Sequence, residues 1–160
     1  MPIDQTHAPA APPDTSAQAT DLLRARILEC VPEVVYATDA DGRWTYLNPA
    51  WTRLTGFTIE ETLGRPFLDY VLPDHREGNA AQFAAFLAGE GAYCRHELPY
   101  RTKDGGHRWV EVHAHAERDA QGRLTGTYGS LADITAKRRN ELLSAGEQAV
   151  LSAIVGGGAL

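Results

Sequence analysis

The apolar positions along the chain change period several times, and each change marks an element. Residues 1–19, MPIDQTHAPAAPPDTSAQA, show no apolar period and are rich in Pro, Ala and small polar residues, which predicts a disordered leader. Leu22, Leu23, Ile27, Cys30 and Val31 then fall near helical spacing, with Thr20 as N-cap and Pro32 as the stop. A short amphipathic helix is expected over 20–32. The run VVYATDADGRWTYL places the turn Asp41-Gly42 between two strands and so predicts a hairpin. Asn48 is expected to cap a helix with Pro49 at its first position, running through Trp51 and Leu54 to Gly56. Thr58 to Glu61 reads as a capping box for a second short helix closed at Gly64, and Asp74 opens a third that carries Phe83, Phe86 and Leu87.

Beyond Gly91 the period shortens to two. Strands are expected at 93–102, 107–117 and 123–131, separated by Lys103-Asp-Gly and by Asp119-Ala-Gln-Gly122. A final helix over 135–155 carries a partial apolar stripe of Leu142, Leu143, Val150, Leu151 and Ile154, weakened by Gly146, before Gly156-Gly-Gly158 ends the pattern. The element order is two strands, several helices, then three strands, which gives an α+β class.

The register of the 93–117 hairpin decides which side chains face inward. A three-residue Lys103-Asp104-Gly105 loop with Gly left-handed sets His96 opposite Val112. Cys94, His96, Leu98, Tyr100, Val110, Val112 and Ala114 then share one apolar face, and Arg95, Glu97, Arg101, Trp109, Glu111, His113 and His115 the other. A four-residue loop would instead mix Val110 and Val112 with Arg95, Glu97 and Arg101, at a cost of several kcal/mol if those charges were buried. Glu111, His113 and His115 are the one arrangement with metal-ligand chemistry, a His-x-His on a strand with a single carboxylate in line. Exposed polar residues bordering Trp109 are the preferred reading, because two imidazoles need a third convergent ligand. Trp109 itself calls for cover, with Leu22, Leu23 or Ile27 as the expected source.

Composition narrows the function. A chain of 160 residues, 43% hydrophobic and 22% charged, suits one domain with flanking segments. Its net charge of -6 gives no basic footprint, which argues against nucleic acid as a partner. The two cysteines, Cys30 and Cys94, have no CxxC spacing, the N-terminus lacks a signal-peptide pattern, and no apolar run spans a membrane, so a cytoplasmic location is expected. No nucleophile stands beside an oriented base, and no glycine-rich phosphate cradle is present. Asp39, Asp41, Glu60, Glu61 and Asp104 are accounted for by turns and caps. Catalysis is not expected from this chain. The inward set that could line a small-molecule pocket is Tyr36, Trp51, Leu54, Phe67, Tyr70, Phe83, Phe86, His96, Leu98, Val112 and Leu131, with Asn48 as a polar contact.

The segments TDADGRWTYLNPAW, LTGFTIEETLGRPF, LPDHR, RTKDGGHRWVEV and GSLADIT, in this order over residues 33 to 136, resemble the PAS domain, in particular the subgroup with an Arg-Trp-Val strand after a Lys-Asp-Gly turn. The resemblance implies a five-stranded antiparallel sheet with helices on one face around a small pocket, and a sensory or dimerisation role serving a separate output domain. It divides the chain into a leader at 1–19, a flanking helix at 20–32, the sensor domain at 33–134, a signalling helix at 135–155 and a linker or following domain from 156. It also implies that Trp109 packs beneath the flanking helix or a partner subunit, making Leu22, Leu23, Ile27 and Trp109 a dimer or helix-packing face. Asp133 and Thr135 become the junction through which a signal would pass to the last helix.

Specific cofactors leave marks in this family. The thiol of light-sensing flavin members is absent from Gly64-Arg-Pro-Phe-Leu68, and the long helix lacks the axial histidine of haem-sensing members, His75 lying before its first turn. Non-covalent flavin, held by Trp51 or a tyrosine with Asn48, or a small metabolite stays open, and the cofactor is unidentified. The tail EQAVLSAIVGGGAL is similar to the lead-in to a GAF domain in bacterial proteins with cyclic-di-GMP enzymes, a histidine kinase being the other common output. A homodimer with a small-molecule ligand is expected.

Overall fold

The computed structural model describes residues 15–89 and 92–156, with side chains for 19–89 and 92–146. Helix α1 (Thr15–Cys30) leads into β1 (Val34–Asp39) and β2 (Trp44–Leu47), followed by α2 (Ala50–Thr55), α3 (Ile59–Thr62), a 3₁₀ turn (Phe67–Tyr70) and α4 (Pro73–Ala88). The chain then forms β3 (Tyr93–Arg101), β4 (His107–Arg118) and β5 (Leu124–Asp133) and leaves through α5 (Thr135–Gly156). The expected leader lies outside the described residues up to position 14, and 15–19 belong to α1. Thr20 is therefore inside the helix rather than its cap. Of the linker expected from 156, Gly156 belongs to α5, and 157–160 and the side chains of Val150, Leu151 and Ile154 lie outside the described residues as well. No helix among them is long and apolar enough to cross a membrane.

Short aspartate turns set the hairpins. Asp39 accepts hydrogen bonds from the backbone N–H of Asp41 at 3.0 Å and of Arg43 at 2.9 Å, while Gly42 takes a left-handed φ of 75°. Asp119 repeats the device toward Gln121 and Arg123, both at 2.9 Å. Asp104 accepts from Thr102 and from the Gly106 N–H, which holds its carboxyl below the usual range. The capping box is present: Thr58 accepts from the Glu61 N–H at 3.2 Å, and the Glu61 carboxylate accepts from the Thr58 N–H at 3.0 Å. Asn48 does not cap α2. Buried at the end of β2, it accepts from the Val35 N–H at 3.0 Å and donates to the carbonyls of Leu28 (2.9 Å) and Glu33 (3.1 Å), tying α1 to the first hairpin.

All pairings are antiparallel, in the order β2-β1-β5-β4-β3. His96 pairs with Val112 and Leu98 with Val110, the register that the three-residue loop predicts, and Gly105 is left-handed at 88°. The sheet's inner face meets the helices in an aromatic core. Trp51 is wholly buried, crossing Tyr70 at 5.2 Å and Tyr100 at 5.9 Å, and its Nε1 donates to Thr62 Oγ1 at 3.0 Å. T-shaped and tilted contacts of this kind add to area burial by about 0.5–1.5 kcal/mol per pair.

Candidate functional site

Between α4 and the inner face of the sheet lies a cavity of about 210 Å³. Its floor follows from the register. Tyr36 of β1, Gly129 of β5, Ala114 of β4 and Cys94 of β3 stand in one row across four strands, and Gly and Ala leave that row low. Thr38 and Thr127 pair in the next row, their hydroxyls 2.7 Å apart. Trp44 from β2, Phe67 from the 3₁₀ turn and Phe83 from α4 form an apolar wall, with Phe67 and Phe83 ring centroids 4.8 Å apart.

The polar end is built by α4 and β3. Asn79, 5% exposed, places Nδ2 at 3.2 Å from His96 Nε2, and His96 Nδ1 lies 3.9 Å from Cys94 Sγ. Burial pushes the His96 imidazole below its ordinary range and the Cys94 thiol above its own, so both are held neutral. Burial likewise raises the Tyr36 and Tyr100 hydroxyls far above neutrality. Two buried side-chain polar atoms, Trp44 Nε1 and Asn79 Oδ1, have no hydrogen-bond partner among the described residues.

Of the residues expected to line a pocket, Tyr36, Phe67, Phe83, His96, Leu98 and Val112 do so. Trp51, Tyr70 and Leu131 are buried in the core instead, Leu54 and Phe86 pack against that core, and Asn48 is spent on backbone groups. The lining residues that sequence reasoning did not select include Trp44, Thr38, Thr127, Asn79 and Gln82. Cys94, Tyr100 and Ala114 were legible from the register, because they share the inward face with His96. Asn79 and Gln82 stand four and one residues before Phe83, a helical spacing that could have pointed to them.

The outer face carries no converged metal set. Glu111 binds the Arg95 guanidinium and lies 2.8 Å from His113 Nε2, while His113 Nδ1 meets the Tyr93 hydroxyl at 2.7 Å. These bonds keep the Glu111 carboxyl below its usual range, the Arg95 contact being the larger cause. His115 turns away to stack on Tyr128 at 5.3 Å, so Glu111, His113 and His115 do not meet at one point, and no cluster of three ligating groups occurs among the described residues. Trp109 is covered from α5: the Arg138 guanidinium lies 3.7 Å from its ring centroid. Leu22, Leu23 and Ile27, 55–58% exposed, do not cover it. Arg101 also departs from expectation, its guanidinium lying over Phe57 at 5.2 Å and Tyr70 at 5.5 Å. His75 falls inside α4, where its ring meets Trp109 at 5.6 Å and not the cavity.

The junction is a compact knot. The Trp109 N–H donates to Thr135 Oγ1 at 3.0 Å, the Ile134 N–H to the Trp109 carbonyl at 2.9 Å, and the Thr135 N–H to Asp133 Oδ1 at 2.9 Å. Beta strand β5 thus runs from the cavity floor at Thr127 directly into the start of α5.

The chain matches the family described as PAS fold over residues 28–139. The chain belongs to the PAS fold family. This PAS domain is 34% identical over 117 residues to sporulation kinase C of Bacillus subtilis, covering 72% of this chain and 27% of the kinase. It is 31% identical over 140 residues to the C4-dicarboxylate transport sensor protein DctS of Rhodobacter capsulatus, covering 82% of this chain and 21% of that protein. Among solved structures, the PAS domain of a protein from Colwellia psychrerythraea superposes with a TM-score of 0.65 at 22% identity, covering 77% of this chain and 99% of the other. The matched region thus spans about a quarter of the two curated relatives' length.

Proposed function

We propose that this PAS domain is the sensory module of a longer bacterial signalling protein, in which a small molecule in the cavity alters the junction between β5 and α5 and so a separate output domain. The observation that carries this reading is continuity: Thr127 borders the cavity, and the same strand ends at Asp133, whose carboxylate holds the Thr135 N–H at the start of α5. A ligand that shifts β5 relative to β4 would have to break the bonds joining Trp109 to Ile134 and Thr135. The output domain is a histidine kinase or a cyclic-di-GMP enzyme reached through a GAF domain. The length of the two curated relatives beyond the matched region supports an output of some kind. No step of catalysis is assigned to this chain.

Native mass spectrometry of the purified protein tests the reading. Extra mass that disappears on denaturation is the expected result. An unliganded dimer would favour a second reading, a ligand-free interaction module. The exposed Leu22, Leu23 and Ile27 on α1 and the exposed Tyr93 and Tyr128 on the outer sheet face support that alternative as an apolar docking surface.

A further inference from the structure

The cavity between α4 and the sheet is lined by rings and by polar groups that mostly bind one another. Trp44 and Phe67 cross at 6.4 Å and Phe67 and Phe83 at 4.8 Å, while Leu98, Val112 and Ala114 extend the apolar surface across the sheet. The Thr38 and Thr127 hydroxyls lie 2.7 Å apart, and Thr127 is also the hydrogen-bond partner of the Tyr36 hydroxyl. The two ring nitrogens of His96 are flanked by Asn79 Nδ2 at 3.2 Å and Cys94 Sγ at 3.9 Å. Trp44 Nε1 and Asn79 Oδ1 are shut off from water, whereas an atom facing a space that admits water would be open to it. They offer an occupant nothing.

Charge finds no partner here either. Arg95 is the one residue charged at neutral pH among the described lining residues, and its guanidinium is bound by Glu111 with the side chain 57% exposed. Burial keeps His96 and Cys94 neutral and the Tyr36 and Tyr100 hydroxyls protonated. An ion entering such a space gives up its hydration without a counter-ion, and a ligand rich in donors and acceptors gives up its water for groups already paired. An apolar ring loses nothing of the kind and gains burial against other rings. At about 210 Å³ the space falls below the roughly 300–1,000 Å³ of pockets for drug-sized ligands, and close packing fills it with on the order of ten nonhydrogen atoms. A flavin with its ribityl phosphate chain exceeds it, and Trp51 and Asn48, expected to hold one, are not among its lining residues. Dry apolar cavities of about 150 Å³ in other proteins take up benzene.

We infer, on the sensory reading of this cavity, that its occupant is an uncharged, hydrocarbon-like aromatic compound of one or two rings, seated against Trp44, Phe67 and Phe83 over the low floor at Ala114. Shape and the absence of charge select it, not a hydrogen-bonding edge.

Toluene and naphthalene, each compared with the carboxylate of the same ring system, benzoate and 1-naphthoate, test this at neutral pH. The full chain carries ¹³C-labelled Leu, Val and Ala methyl groups. Saturable shifts of the Leu98, Val112 and Ala114 methyl signals are expected with at least one hydrocarbon, and its carboxylate is expected to bind at least about a hundredfold more weakly. Ala114→Leu, which fills the floor, is expected to abolish hydrocarbon binding in a chain still folded by circular dichroism. Phe83→Trp fills the same space from α4 and takes its place should the sheet variant not fold. A carboxylate that binds within that hundredfold of its hydrocarbon would overturn the inference and leave the cavity a ligand site. Hydrocarbon binding that survives the filled cavity would overturn it too, by placing the site elsewhere. Failure of both hydrocarbons to bind overturns the inference, and the sensory reading falls with it if the purified protein also carries no bound mass in native mass spectrometry.

Discussion

His96 shows how a single side chain couples burial to pH. Its imidazole is held neutral by burial, below the ordinary 6.5 that it regains on unfolding. Between the two values the unfolded chain binds the extra proton, so stability is complete above pH 6.5 and falls as the pH drops through 6.5 toward the folded value. Urea denaturation midpoints measured from about pH 8 to about pH 5 are expected to fall less steeply in His96→Gln than in the parent. Equal slopes would show that His96 protonates as readily folded as unfolded. Gly129 makes a steric case. A Cβ there would stand 1.8 Å from the His113 carbonyl oxygen in the centre of the sheet, where neither strand can withdraw without breaking its ladder. Gly129→Ala is expected to lose about 3 kcal/mol or more, read as a lower thermal midpoint by circular dichroism. A loss within about 0.5 kcal/mol would contradict the packing.

Among elements, the β3–β4 hairpin was legible because one register gathers its apolar residues and the other does not. That argument turns His96 inward and His113 and His115 outward, and it sets Cys94, Tyr100 and Ala114 on the cavity side as well. It could not tell pocket from core. Trp51 and Trp44 are both buried and aromatic, yet only Trp44 borders the cavity, because α2 sets Trp51 against Tyr70 and Tyr100. Helix α5 is joined to the sheet through the bonds of Trp109 with Ile134 and Thr135, and Asp133 holds the first turn. Asp133→Ala is expected to cost about 1 kcal/mol, as a lost cap does, while uncoupling output in an activity assay of the full-length protein. Output that still responds to signal would remove the junction from the mechanism and leave only its stabilising part.

At the scale of the whole molecule, the sheet supplies a rigid floor and α4 a separate wall, so the cavity lies where two layers meet rather than within one element. Leu22, Leu23 and Ile27 on α1 and Tyr93 and Tyr128 on the outer face of the sheet stay exposed in the described chain, the apolar surface that the second reading, an interaction module, would use. The sequence by itself determined the class, the order of elements, the turns and the inward faces of β3 and β4, since these depend on local periodicity and on Asp, Gly and Pro at fixed offsets. Tertiary structure decided the rest. Arg138 rather than α1 covers Trp109, Asn48 binds three backbone groups rather than a ligand or a helix end, and Trp44 of β2 and Asn79 of α4 come to line one cavity. Each of these joins residues far apart in the chain, and long-range juxtaposition leaves no period for a sequence pattern to register.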